Sequence, residues 1–259
     1  MSTMTATLDR VPPARAKYTP PADDRSLTLG EALAMRPLRR AAVGQATDMF
    51  SGAPQKLAGK QLYRDDELLF YAGDLSLLSK PCVSVVGTRQ ISDNGRHRAR
   101  KLAMFLASHG VVVVSGLAMG VDTIAHHGAL EAGGRTMAVL GTPLNKCSPM
   151  ENAELQECIY RDHLLISQFA SGSQVFPTNF PKRNKLMASL SDATVIIEAS
   201  DTSGTLHQAA ECQRLGRDLF ILKSVVDTPT LKWPAKFLKH PNVHVLEQPS
   251  DVLKTLGLS

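Results

Sequence analysis

The sequence predicts an α/β chain, with a mostly parallel sheet carrying helices on both faces. Three observations lead there. Apolar, β-branched runs recur at 82–88 (CVSVVGT), 111–116 (VVVVSG), 136–141 (TMAVLG), 163–169 (HLLISQF), 193–199 (ATVIIEA), 217–223 (RDLFILK) and 242–247 (NVHVLE). Several are apolar throughout instead of alternating, as strands covered on both sides are. The segments between them are long enough for crossover helices, which parallel strands require.

The individual elements follow from local chemistry. Ser92 and Asp93 can cap a helix running through 94–108, and Gly110 stands just past its end. Gly133 and Gly134 close the next helix, and Pro181 fits the first turn of another. Residues 1–26 hold Pro12, Pro13, Pro20 and Pro21 with few large apolar residues, and read as a disordered tail. Residues 27–67 read as a short helical region and linker: Leu29, Leu33, Met35 and Leu38 suggest one helix before Gly52, Pro54 and Gly59 interrupt. Residues 68–259 then form one extended Rossmann-like domain.

Composition narrows the function classes. At 259 residues, with 43% hydrophobic and 20% charged residues, the chain suits one sizeable core and argues against wholesale disorder. No apolar run reaches the ~18 residues of a membrane span, and the N-terminal stretch lacks the apolar centre of a secretion signal. Cys82, Cys147, Cys158 and Cys212 form no C-x-x-C pair, against a zinc ribbon or a disulfide scaffold. A reduced cytoplasmic setting is expected. The net charge of +5 is concentrated early: residues 1–60 hold nine Lys/Arg against five Asp/Glu. A nucleic-acid surface would therefore have to arise by local clustering in the folded part.

In open α/β sheets, ligands bind beyond the carboxyl ends of the strands. The residues there are Gly87-Thr88-Arg89; Ser115-Gly116 through Gly120-Val121-Asp122; Gly141-Thr142-Pro143; Asn179-Phe180-Pro181-Lys182-Arg183-Asn184; and Ser203-Gly204-Thr205. Glycines and helix N-termini favour anions, phosphate above all, and Arg89, Lys182 and Arg183 would add full charge. The motifs of other chemistries fail. No G-x-G-x-x-G occurs, Gly59-Lys60 is followed by Gln61 instead of Ser or Thr, and Ser115 is not in G-x-S-x-G. His126-His127 has no matching ligand set for a metal. Arg96, Arg98, Arg100 and Lys101 read as a solvated helix face, and Cys82 as core.

Taken in order, VSVVGTRQISDNG, VVVVSGLAMGVDTIAHHGALEAGGRTMAVLG, NFPKRNKLMASLSDATVIIEA and SGTLHQAAECQRLGRDLF resemble the DNA-processing protein A family (DprA, also called Smf) over roughly residues 68–223. LLFYAGDLSLLSK (68–80) looks like the lead-in to that family's first strand. The resemblance implies an extended Rossmann fold, single-stranded DNA binding without strict sequence preference, a homodimer, and delivery of a RecA-type recombinase onto incoming strands. It implies no catalytic residue, no metal and no cofactor. Carried over by position, the DNA-contacting residues are Arg89, Ser115, Gly116, Gly120, Lys182, Arg183 and Asn184. Gly87, Thr88, Ser203, Gly204 and Thr205 complete the phosphate-binding set, and Phe180 is either a stacking platform or a buried anchor. The stretch 224–259 departs from the family pattern, and no winged-helix-like module is expected after Ser259.

A second reading stays open. Ser203-Gly204-Thr205-Leu206 also resembles part of the glycine-rich motif of LOG-like phosphoribohydrolases, which would make the chain a nucleotide-binding or nucleotide-sensing protein. That motif places a carboxylate directly after the leucine, where this chain has His207; Glu198 and Glu211 are near in sequence but out of position. A third is a divergent member used as a protein-interaction module.

Overall fold

The computed structural model describes residues 17–22, 24–36 and 64–258. The chain begins with strand β1 (Arg25–Thr28), helix α1 (Leu29–Ala34) and strand β2 (Leu68–Gly73). The alternating part follows as β3 (Cys82–Val86), α2 (Asp93–Ser108), β4 (Val112–Ser115), α3 (Val121–Glu131) and β5 (Thr136–Leu140). It continues through α4 (Ala153–Asp162), β6 (Leu164–Ser167), α5 (Asn179–Ser189), β7 (Ala193–Ile196), α6 (Thr205–Arg214) and β8 (Asp218–Leu222). Two short helices, α7 (Lys223–Val226) and α8 (Trp233–Phe237), then lead to β9 (Val243–Leu246) and α9 (Ser250–Thr255).

One nine-stranded sheet orders these strands β1-β2-β6-β5-β4-β3-β7-β8-β9. From β6 to β9 every pairing is parallel, while β2 joins β6 and β1 joins β2 antiparallel. All seven runs named from sequence are strands. The order reverses between β3 and β7, which makes that point the topological switch of the sheet.

The strands are continuously apolar because each feeds two cores. In β3, Cys82 and Val86 enter one cluster, with Leu186, Met187, Ala209 and Cys212 of α5 and α6. Val83 and Val85 point the other way, into a cluster with Leu102 and Leu106 of α2 and Val121 and Ala125 of α3. Successive side chains alternate across a strand, so two buried faces need apolar residues at every position. Ser92 caps α2 as expected, accepting from the Gly95 N–H at 3.0 Å.

The N-terminal region is more structured than the tail reading expects. Tyr18 is buried and donates its hydroxyl to the Leu144 carbonyl at 2.9 Å. The Thr19 N–H donates to the Glu157 carboxylate at 2.9 Å, and the Thr19 carbonyl accepts from Tyr160 at 3.0 Å. The expected tail boundary at residue 26 is therefore too late, since Tyr18 and Thr19 are already bonded to Leu144 and α4 and Arg25 lies in β1. Residues 1–16 of that tail, and 37–63 of the expected linker, lie outside the described residues. The helix foreseen near Leu29 is α1, capped by a reciprocal Thr28–Glu31 pair. Arg36 behind it forms a buried ion pair with Asp192 at 2.7 Å, and Asp192 also accepts from the Cys82 N–H. Residues 224–258 of the divergent segment are also folded onto the sheet. Trp233, 2% exposed, donates its indole N–H to the Ala199 carbonyl at 2.9 Å.

Candidate functional site

The switch point between β3 and β7 is closed from inside. The Thr88 N–H donates to the Glu198 carbonyl at 2.8 Å, and the Thr205 hydroxyl to the Gly87 carbonyl at 3.2 Å. The Glu198 carboxylate accepts from the Ser92 N–H at 3.0 Å and from the Ser92 hydroxyl. A carboxylate at the start of a helix satisfies orphan N–H groups and complements the dipole. The anion site that a glycine-rich turn and the α2 N-terminus promise is thus filled by the chain's own Glu198.

The next loop is saturated in the same way. Asp122, 6% exposed, accepts from the N–H groups of Gly116 at 3.2 Å and Ala118 at 3.3 Å. Burial pushes the Asp122 carboxyl up, while nearby Arg183 and the loop amides pull it down. Arg183 is itself 5% exposed; it donates to the carbonyls of Gly116 and Val139 and to the Asn184 side chain. A Cβ at Gly116 would fall 1.8 Å from the Arg183 guanidinium, so only glycine lets that side chain pass. Leu117 holds a left-handed φ of 59°, uncommon without a glycine, and its carbonyl accepts from Asn152 at 2.9 Å.

Gly120 joins this loop to its neighbour. With φ +83°, it sits where a Cβ would lie 2.4 Å from the Thr88 carbonyl oxygen, and the following N–H, of Val121, donates to that same oxygen. The close approach fixes the Thr88–Arg89 backbone and turns Arg89 outward. The Arg89 guanidinium stands 5.8 Å from the centre of the half-buried Phe180 ring, a cation–π distance. Between Arg89, Met119, Gly141, Phe180 and Arg183 lies a cavity of about 100 Å³. That is well below the ~300 Å³ of a typical small-molecule pocket. Lys182 is exposed on the next turn, and Asn184 donates to the Gly204 carbonyl at 3.2 Å, tying α5 to the Ser203–Gly204–Thr205 turn. Ser203 there accepts from the Thr205 N–H at 3.2 Å.

The residues singled out from sequence therefore separate into two kinds. Arg89, Phe180 and Lys182 reach the surface along the rim above β3, β4 and β5. Ser115 does not: it is fully buried and donates to the Val85 carbonyl at 2.7 Å, because its strand is covered on both faces. Arg183 does not either, since its guanidinium is spent on interior carbonyls; both are corrected from contact residues to internal supports of the rim. Thr205, 8% exposed, is likewise turned inward. Gly87, Gly116 and Gly120 serve loop packing, with the Gly116 N–H already donated to Asp122.

Sequence reasoning placed Asp122 and the exposed Met119 in a candidate loop without giving them a role, and missed Asn152. An acid in the first turn of a helix is a readable signal for Asp122; nothing local marks Asn152. Beneath the rim, His126 is fully buried. Its Nδ1 donates to the Thr136 hydroxyl at 2.7 Å, which in turn donates to the Val113 carbonyl. Burial, then the neighbours His127, His163 and Arg183, pull its pKa down to about 3. Arg96, Arg100 and Lys101 are exposed on α2, with Arg100 paired to Glu131. Among the described residues, no group of three or more His, Cys, Asp or Glu side chains could hold a metal, and no helix is long and apolar enough to cross a membrane.

Comparison with known proteins places these features in a family. The family model described as DNA recombination-mediator protein A matches residues 52–257. The DNA processing protein DprA of Streptococcus pneumoniae is 40% identical over 168 residues, covering 64% of this chain and 59% of that protein. Protein Smf of Synechocystis is 36% identical over 194 residues, covering 73% and 48%. This chain thus spans about half to three fifths of the length of these relatives. Among solved structures, S. pneumoniae DprA superposes with a TM-score of 0.67 at 36% identity, covering 74% of this chain and 68% of that one. DNA processing protein A from Helicobacter pylori, whose structure is described as revealing a unique single-stranded DNA binding mode, gives 0.67 at 28% identity, covering 75% and 89%. With most of the chain matched by one family and the fold shared with its solved members, the chain belongs to the DNA recombination-mediator protein A (DprA/Smf) family.

Proposed function

We propose that this chain binds single-stranded DNA along the rim carrying Arg89, Phe180 and Lys182, and acts as a non-catalytic recombination mediator. The observation that carries the reading is the stacked Arg89–Phe180 pair standing beside loops whose amides are already satisfied. With Glu198 and Asp122 occupying the amide turns, phosphate and base recognition falls to side chains. Arginine and lysine take phosphates without reading sequence, and an aromatic face accepts any base. The H. pylori relative's DNA binding agrees with this. Homodimerisation, transfer of the strand to a RecA-type recombinase and a cytoplasmic setting belong to the same proposal.

The phosphoribohydrolase-like reading is less well supported. Exposed His207 stands where a carboxylate would be needed, Glu198 is engaged by Ser92, and Glu211 is paired with Arg214.

Fluorescence anisotropy on a labelled oligothymidine, titrated at several salt concentrations, tests the proposal. Binding should weaken with salt, and Arg89→Ala and Lys182→Ala should each lower the log–log salt slope by about 0.7. A parent protein that fails to bind removes the function; variants that keep the parent's slope remove the site.

A further inference from the structure

Resting on that reading, we propose that the strand path does not end at Phe180 but continues into a second subsite, which takes a further nucleotide of the same strand. The subsite is a cavity of about 480 Å³ walled by Lys17, Tyr18, Lys146, Met150 and Val175. It shares Thr142 and Ser148 with the small cavity beneath Arg89 and Phe180, so the two adjoin across these residues. Its volume falls in the range that accommodates a nucleotide-sized ligand.

The chemistry of the walls fits single-stranded nucleic acid. Lys17 and Lys146 are exposed, and among the described residues no carboxylate lines the cavity. Two acids act on Cys147 in the cavity wall, Glu151 and Glu157, and Glu157 is held by the Thr19 N–H. Met150 and Val175 are 40% and 37% exposed, and Phe176 beside Val175 is 53% exposed. Apolar residues flanked by ammonium groups let a base lie flat while its phosphate is neutralised.

The walls are also held in place. Tyr18 is pinned by its hydroxyl to Leu144, Thr19 is bonded to α4 through both backbone groups, and the Lys146 ammonium reaches the Ser173 carbonyl at 2.9 Å. Lys17 and Tyr18, from the stretch read as tail, therefore form one wall of the cavity. On this path the phosphates run past Arg89 and Lys182 at one end and past Lys17 and Lys146 at the other.

The test is affinity as a function of strand length, with oligothymidines of roughly 4 to 16 nucleotides. The variants are Lys17→Ala/Lys146→Ala and Met150→Ser/Val175→Ser, compared with Arg89→Ala. All five side chains are at the surface, and thermal melts confirm folding. Arg89→Ala should weaken every length. The second-subsite variants should bind the shortest strands like the parent but lose the affinity gained with length, roughly tenfold at low salt for the double lysine variant. A strand carrying 4-thiothymidine should crosslink to the peptide holding Met150 as well as to that holding Phe180. If the second-subsite variants keep the parent's length dependence, or crosslinks are confined to the Phe180 peptide, the proposal is overturned while the rim reading stands. If the parent binds no length at all, the rim reading itself fails.

Discussion

Two stretches of the same sheet edge have been treated oppositely. At the crevice between β3 and β7, Glu198 fills the space against Ser92 and the α2 N-terminus, and the loops lock together through Thr88 and Thr205. Above β4 and β5, the loop amides are also satisfied, by Asp122, yet Arg89 and Met119 are exposed around a crease that the half-buried Phe180 also lines, and Lys182 is exposed on α5. Both stretches read alike in sequence, as glycines after a strand followed by a helix. The difference teaches that a glycine-rich turn is an anion site only when no side chain of the chain itself reaches it first. In a sheet of this kind the switch point is the usual place for a ligand; here the carboxylate of Glu198 occupies that place, and the proposed binding surface lies beside it, on side chains instead of amides.

The sharpest way to break the comparison is Arg183→Ala. It leaves the Gly116 and Val139 carbonyls without their buried donor and Asp122 without its nearby cation. Stability should fall by about 3 to 5 kcal/mol in chemical denaturation, whereas Lys182→Ala, one residue and about 100° away on the same helix, should leave the denaturation midpoint unchanged. Equal effects of the two would show that Arg183 is not the internal support of the rim.

Phe180→Ala addresses the open stretch alone. Loss of a stacking face should cost about 1 to 3 kcal/mol of oligothymidine affinity with little change in the salt slope. A large drop in slope instead would mean that the ring holds Arg89 in position and does little stacking itself.

The support beneath the rim has a pH signature. His126 is neutral in the fold, with its pKa lowered to about 3, while in the unfolded chain it titrates near 6.5. A depressed folded-state pKa means that the unfolded chain binds the extra proton first. The stability this group contributes is complete above about pH 6.5 and is lost as pH falls towards 3, by up to ~1.4 kcal/mol per pH unit. His127 and His163, also lowered by burial, add in the same direction. In His126→Gln, denaturation midpoints measured across that window should fall less steeply; an unchanged slope would reassign the acid sensitivity to the other two.

The smallest effect concerns the closed stretch. Glu198→Gln keeps the size of the side chain but removes its charge from the α2 N-terminus, so stability should drop by about 0.3 to 1 kcal/mol. Inorganic phosphate should then protect the variant against thermal unfolding more than it protects the parent. Equal protection would mean that Glu198 is not what keeps anions out.

How much of this could be read in advance depends on how local each feature is. The seven central strands were legible because burial on both faces writes an uninterrupted apolar run. The Ser92 cap was legible because it acts within three residues. β1 and β2 were not: RSLT is four residues long with three of them polar, and it becomes a strand only because Leu68–Gly73 offers an edge. Tyr18 gave no sign that its hydroxyl would find a carbonyl 126 positions away. In the site, Arg89 and Lys182 behaved as their charge suggests, but Arg183, next to Lys182, turned inward, because neighbouring helical residues point in directions about 100° apart and only one faced the gap above Gly116.

The sequence by itself determined the alternation of strands and helices, the parallel sheet and the family, since these rest on periodicity, caps and ordered motifs that are local properties of the chain. Only the tertiary structure decided which charged and glycine-rich positions remain available to a ligand. Availability depends on whether a carboxylate or guanidinium from a distant segment has already filled the turn, and that competition exists only once the segments are packed together.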